Sequence, residues 1–202
     1  LSFFYSAFQL RQIAAIVKPF FSTWDDALFT DYCKRFQLKP DAKVKALSTG
    51  QSKLFSLVVA LSHRPKLLIL DEPTSNLDPI IRNDILELFG EIMLDGETTI
   101  FYSTHITSDL DKTADYIMYL HDGQIRFHEE KDVLLEKYRV IKGDNSLLAA
   151  LPSLRLYGVK QTDLGFTALC KIEDLPKLGE RIVAEKPDIE KIMLYAAKED
   201  LE

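Results

Sequence analysis

The 202 residues hold no G-x-x-x-x-G-K-S/T segment, no apolar run of about 18 residues and only two cysteines. Each shortage excludes something. Without the glycine-rich lysine loop, no stretch of this sequence offers the usual cradle of backbone N–H groups and lysine for nucleotide phosphates. Without a long apolar run, no segment reads as a helix crossing a bilayer. Cys33 and Cys170 lie far apart with no metal-ligand spacing, so they read as reduced, buried thiols that fit a reducing compartment. Positive charge is also short. Lys and Arg number 25 against 31 Asp and Glu, and the net charge of -6 has the wrong sign for a nucleic-acid binder. The chain lacks an initiator Met. Its apolar start, Leu1 to Tyr5, has neither the basic flank nor the cleavage site of a signal peptide, and reads as a chain cut inside a folded core.

What is present alternates helix and strand. Residues 1–46 read as helical, with Trp24, Leu28, Phe29, Tyr32 and Phe36 on one face and Thr23 or Ser22 as the cap. A second helix is expected from Gly50, through Leu54, Leu57, Val58 and Leu61, ending near His63-Arg64-Pro65. The apolar run Leu67 to Leu70, stopped by Asp71, reads as a buried parallel strand with a site at its C-terminal end. A helix follows from Pro79 to Leu94, then a strand over 98–103 and a short helix over 108–114. Tyr116 to Leu120 and Gln124 to His128 form a hairpin around Asp122-Gly123. A helix from Glu129 to Tyr138 precedes a linker at Gly143-Asp144-Asn145. Residues 146–202 read as a small α+β extension, with strands Leu154 to Val159 and Phe166 to Ile172 and a last helix Asp188 to Ala197. Its core is expected from Leu154, Leu156, Phe166, Leu169, Ile189, Ile192 and Leu194. Strands alternating with helices imply an α/β fold with a parallel sheet.

Two adjacent carboxylates at a strand end, Asp71 and Glu72, can divide the work of phosphoanhydride hydrolysis: one on Mg²⁺, the other on the attacking water. Ser48-Thr49-Gly50 opens a helix, where free N–H groups and the dipole favour phosphate; the same residues also make an ordinary N-cap before an amphipathic helix. His105 follows a strand and could reach the same carboxylates. Asp78, before Pro79, reads as a cap. His63, His121 and His128 read as turn or surface residues.

Taken in order, Leu47-Ser48-Thr49-Gly50-Gln51, Leu67 to Glu72, Ser75-Asn76-Leu77-Asp78 and His105 resemble the motif set of ABC-type ATPases. The first is similar to the L-S-G-G-Q signature, with Thr49 for its first glycine. The second resembles the Walker B strand with its glutamate, the third the D-loop with Asn76 for alanine, and the last the switch histidine. Phe20 to Asp25 and Glu185 to Leu194 resemble the subunits of bacterial drug, bacitracin and lantibiotic exporters. The resemblance implies a P-loop NTPase-like parallel sheet with an ABC helical subdomain, over residues 1–142, and a C-terminal extension over 143–202. Within the first part it implies a helical subdomain over 1–64 and a Walker B to switch region over 65–142.

The resemblance also implies ATP and Mg²⁺ as cofactors, and roles for single residues: Glu72 and His105 catalytic, Asp71 on the metal, and Ser48, Thr49, Gly50, Gln51 and Asp78 on nucleotide. In such a family Ser48 and Gly50 face nucleotide held by a second ATPase subunit, in a homo- or heterodimer, and transmembrane permease subunits complete the assembly at the cytoplasmic face of a bacterial membrane. The implied function is ATP-driven transport, in the direction of export. The phosphate loop belongs upstream in this family, so a chain of these 202 residues is expected to be an N-terminally incomplete ATPase that neither binds nor hydrolyses ATP alone. A non-transport ABC ATPase, or a non-catalytic interaction module, are the alternatives.

Overall fold

The computed structural model describes residues 6–148, 155–177 and 181–197. The apolar start Leu1 to Tyr5 and Leu154, where a strand is expected to begin, lie outside the described residues; that strand begins at Tyr157. The chain divides into two compact units, Leu1–His105 and Ile106–Glu202.

In the first unit run α1 (Leu10–Val17), α2 (Asp26–Arg35), α3 (Thr49–Leu61), β1 (Leu67–Asp71), α4 (Pro79–Asp95) and β2 (Thr99–Ser103). Residues 6–46 are thus less helical than expected. The cap of α2 is Asp25, whose carboxylate accepts from the Leu28 N–H at 3.0 Å. Thr23 lies two residues before that cap, and its hydroxyl donates instead to the His63 carbonyl. The Leu28 N–H and then Arg64 hold the Asp25 carboxyl below its ordinary range. Phe29, Cys33 and Phe36 go inward, with Trp24 and Tyr32 packed beside them. Burial pushes the Cys33 thiol up to about 11, which fits an inert core thiol.

The same core takes Leu54, Phe55 and Val58 from α3 and Ile85, Leu88 and Phe89 from α4. Gly96 ends α4 at φ +67°, the left-handed cap that glycine adopts at least cost.

β1 and β2 pair in parallel, from Leu67 with Thr99 to Asp71 with Ser103. The expectation of a buried β1 fails on one of its two faces. Side chains alternate between faces of a pleated strand. Leu68 is buried in the core, whereas Leu67 and Ile69 are 53% and 68% exposed on the opposite face. Among the described residues β1 and β2 pair only with each other, and the core covers one side of them.

In the second unit α5 (Thr107–Thr113) precedes β3 (Tyr116–His121) and β4 (Gln124–Glu130), a hairpin as expected. Asp122 and Gly123 both take positive φ, as a two-residue primed turn requires. β4 runs on to Glu130, so α6 (Lys131–Lys137) starts later than the sequence suggests and Tyr138 opens a strand instead of closing a helix. That strand, β5 (Tyr138–Gly143), joins β6 (Tyr157–Thr162), β7 (Gly165–Lys171) and β8 (Val183–Glu185) in an antiparallel sheet of order β6-β7-β5-β8. Gly143 pairs with Phe166, and α7 (Asn145–Leu148) takes the place of the expected linker. A Cβ on Gly143 would lie 2.9 Å from the Phe166 ring, so this position needs glycine for packing.

The last helix, α8 (Ile189–Ala196), is capped by Asp188, which accepts from the Lys191 N–H at 2.8 Å. Ile189 and Ile192 of α8 pack with Tyr138, Val140, Tyr157 and Leu169. Leu194 is not a core residue: it is 51% exposed, on the side of α8 away from that cluster.

Candidate functional site

The site is built where β1 and β2 end side by side. Asp71 closes β1, and its Oδ1 accepts a short hydrogen bond from Ser103 Oγ, on the residue paired with it. The next residue, Glu72, leaves the sheet at φ +47°, a conformation that costs a non-glycine residue about 1–3 kcal/mol. Its N–H still donates to the Ser103 carbonyl at 3.1 Å, and the turn swings its side chain toward the end of β2.

There Glu72 Oε1 accepts from the His105 backbone N–H at 3.0 Å, and His105 Nδ1 lies 2.8 Å from the same oxygen. An Nδ1–H tautomer makes that second contact a hydrogen bond. The other carboxylate oxygen, Oε2, is buried with no hydrogen-bond partner. Such an atom costs about 1–3 kcal/mol unless something donates to it. The His105 side chain itself is 72% exposed. One oxygen of Glu72 is therefore held and the other waits for a donor. This suits a water or a hydrated metal, and Asp71 stands next to it on the chain. Among the described residues no three His, Cys, Asp or Glu side chains form a metal cluster.

Asp71, Glu72 and His105 thus meet in one place. The other expected site residues do not join them by any direct bond. Ser48 caps α3: its Oγ accepts from the Gln51 N–H at 3.2 Å while Gln51 Oε1 accepts from the Ser48 N–H at 3.1 Å, a reciprocal capping box. Ser48 and Thr49 are exposed. Gly50 faces Leu77, where a Cβ would come within 3.2 Å of the leucine methyl, so close approach to that side chain explains the glycine. Asp78 caps α4 by accepting from the N–H groups of Ile80 and Ile81, both at 3.1 Å.

Two residues of the site are given no role by the sequence. Ser103 is visible there only as part of a strand end, and its bond to Asp71 depends on the β1–β2 register. Lys53 sits in α3 and donates to the Glu72 carbonyl at 2.9 Å and to Ser75 O and Oγ at 2.7 and 2.8 Å. No local signal distinguishes it from any other helix lysine. His63 stacks on Phe21 with ring centroids 3.9 Å apart and joins these carboxylates by no direct bond.

A family profile described as "AAA domain, putative AbiEii toxin, Type IV TA system" matches residues 40–110. The chain is 27% identical over 176 residues to the ABC transporter ATP-binding protein YtrB of Bacillus subtilis (strain 168), covering 86% of this chain and 60% of that protein. It is 38% identical over 89 residues to the lantibiotic transport ATP-binding protein SrtF of Streptococcus pyogenes, covering 44% of this chain and 38% of that one. A solved structure described as "Structure of ATP binding subunit of ABC transporter" superposes with a TM-score of 0.57 at 23% identity, over 63% of this chain and 55% of that chain.

The fold, helices with a parallel strand pair, is similar to that of this solved ATP-binding subunit. In sequence the chain is similar to ABC transporter ATP-binding proteins. It spans less than two thirds of the length of these curated relatives.

Proposed function

We propose that this chain carries the hydrolytic half of an ATP site in the ATPase subunit of a bacterial ABC transporter. The observation that carries the reading is the Glu72 carboxylate: one oxygen is fixed by His105 and the other is buried and unpartnered, next to Asp71 at a strand end. Glu72 is the group that orients the attacking water and accepts its proton, with Oε2 as the accepting atom. His105 keeps the carboxylate in place, and its exposed ring is available to a terminal phosphate oxygen. Ser103 fixes the Asp71 carboxylate. Asp71 would hold Mg²⁺, which when bound neutralises the charge that develops on the phosphates.

ATP as substrate and Mg²⁺ as cofactor follow from this chemistry and from the relatives' names. Ser48, Thr49, Gly50 and Gln51 stand at an exposed helix start, open to nucleotide on a second ATPase subunit. A transmembrane permease as partner, export as direction and the cytoplasmic face of the membrane as location are inferences from the exporter relatives. Among the described residues no helix is long and apolar enough to cross a membrane. The observations favour no non-transport reading over this one.

The test is Glu72→Gln in the protein that carries this chain. It removes the proton acceptor and keeps the shape, so hydrolysis should fall by about 100-fold or more while ATP stays bound. Asp71→Asn should instead weaken Mg²⁺-dependent binding. Wild-type turnover in Glu72→Gln would show that Glu72 does not activate the water.

A further inference from the structure

We propose that Lys53 is a positioning residue for the hydrolytic site: its ammonium fixes the turn that presents Glu72 and so decides where the Glu72 carboxylate meets His105. The proposal rests on Glu72 being the group that activates water.

A lysine ammonium has three N–H donors and no acceptor. In this fold all three find oxygens, and all three oxygens belong to one turn: Glu72 O at 2.9 Å, Ser75 O at 2.7 Å and Ser75 Oγ at 2.8 Å. These partners are neutral, so the bonds are charge-assisted without forming an ion pair. A partly buried ammonium spent on the carbonyls of a single turn restrains geometry; it does not balance charge. The turn needs restraint. Glu72 and Asn76 both sit at positive φ, +47° and +58°, where side-chain-bearing residues are disfavoured. Ser75 Oγ donates in addition to the Glu72 carbonyl at 3.1 Å, so that oxygen is gripped from two sides.

Where the Glu72 carbonyl is held, the direction of its side chain follows, and at its end lies the 3.0 Å bond from the His105 N–H. The same helix touches the turn again one step earlier, where Gly50 lies against Leu77. α3 is thus keyed to the segment after β1 at two points, of which Lys53 is the polar one.

The experiment uses the 202-residue chain. Lys53→Met keeps most of the aliphatic stem and removes the donors. Amide hydrogen exchange followed by NMR then reads His105, whose N–H bonds the Glu72 carboxylate and not any atom that Lys53 touches. Loss of one such bond corresponds to about tenfold faster exchange. The expected result is that acceleration at His105, with amides of the β1–β2 ladder unchanged. Lys53→Cys alkylated with bromoethylamine restores an ammonium on a stem of lysine length and should restore protection; the native thiols Cys33 and Cys170 are buried and out of the reagent's reach. Unchanged His105 protection in folded Lys53→Met, equal acceleration throughout the unit, or no recovery on alkylation would overturn the proposal.

Should Lys53→Met not fold, the unmodified chain still decides. Its Lys53 ammonium protons should exchange slowly and show through-hydrogen-bond coupling to the carbonyl carbons of Glu72 and Ser75; a freely exchanging ammonium would refute the clamp. None of these measurements needs nucleotide, so they fail independently of the ATPase reading, which Glu72→Gln tests. In the protein that carries the chain, Lys53→Met should lower kcat by about tenfold with KM for ATP nearly unchanged. A rise in KM alone would place Lys53 in binding and end its positioning role.

Discussion

The parallel pair β1–β2 and the antiparallel sheet β6-β7-β5-β8 treat their strand ends differently. In the first, both strands stop at the same level, and the residues just past that level are carboxylates, a serine and a histidine bound to one another, with Glu72 in a disfavoured conformation and one of its oxygens unpaired. In the second, strand ends run into turns whose polar groups close locally. Asp144 accepts from the Ser146 N–H at 2.8 Å, and the Thr162 hydroxyl donates to the Gly165 carbonyl at 3.1 Å. Parallel strands bring chain segments distant in sequence to one edge, which lets unlike side chains converge. Hairpin ends bring near neighbours together, and those satisfy each other. The comparison predicts that substitutions in the first region change chemistry and those in the second change stability.

The largest expected effect after Glu72→Gln comes from α3. Ser48→Arg puts a bulky side chain at an exposed helix start, in the place proposed for a second subunit's nucleotide. In the protein that carries the chain, it should leave ATP binding by the monomer intact and abolish ATP-driven dimerisation, read by size-exclusion chromatography with and without ATP. Mixed with a partner defective in phosphate binding, the mutant should regain partial activity in proven heterodimers. No recovery, with nucleotide trapped in the intact site, would mean that both sites must work together.

Leu169→Ala tests the other side of the comparison. Leu169 is fully buried in β7 among Tyr138, Val140, Tyr157 and Ile192. Truncation should cost about 2–5 kcal/mol in urea unfolding of the second unit. Turnover per folded molecule, in the protein that carries the chain, should not change. A loss of hydrolysis at unchanged stability would break the division between a chemical and a structural region.

A smaller effect is expected at the cap of α4. Asp78→Ala leaves the Ile80 and Ile81 N–H groups without their acceptor and should cost about 1 kcal/mol, measurable by thermal unfolding. If Asp78 also contacts nucleotide, as the resemblance implies, the loss in ATP-dependent dimerisation will exceed the loss from destabilisation alone; equal losses would leave it a cap only.

The smallest effect is in acid. Arg35 hydrogen-bonds Glu91 and holds its carboxyl below the ordinary range. A group depressed on folding contributes stability that is present above its unfolded pKa and lost as pH falls through the folded value. Stability should therefore decline below a pH of about 4, and Glu91→Gln should make the decline shallower. Both groups are partly exposed and the pair is weak, so the change should be small. A steeper acid decline in Glu91→Gln would reverse that sign.

The sequence alone determined the parts of this protein that depend on neighbours along the chain. Ser48 and Asp78 as caps, the apolar faces of α3 and α4, the Asp122-Gly123 turn and the strand ending in Asp71-Glu72 all follow from periodicity and from the needs of terminal N–H groups within a turn or two. The order of the motifs added the resemblance to ABC-type ATPases, because their chemistry is compatible with few folds.

Tertiary structure alone decided the rest. That Ser103 bonds Asp71, that His105 holds one Glu72 oxygen and leaves the other unpaired, and that Lys53 grips the turn depend on contacts between residues far apart in the chain. The fate of Tyr138 shows the same limit. Its local sequence is compatible with the end of a helix. Pairing with Lys171 of β7, together with burial against Tyr157, makes it the first residue of a strand, because backbone hydrogen bonds and burial gained across the sheet outweigh a local helical preference.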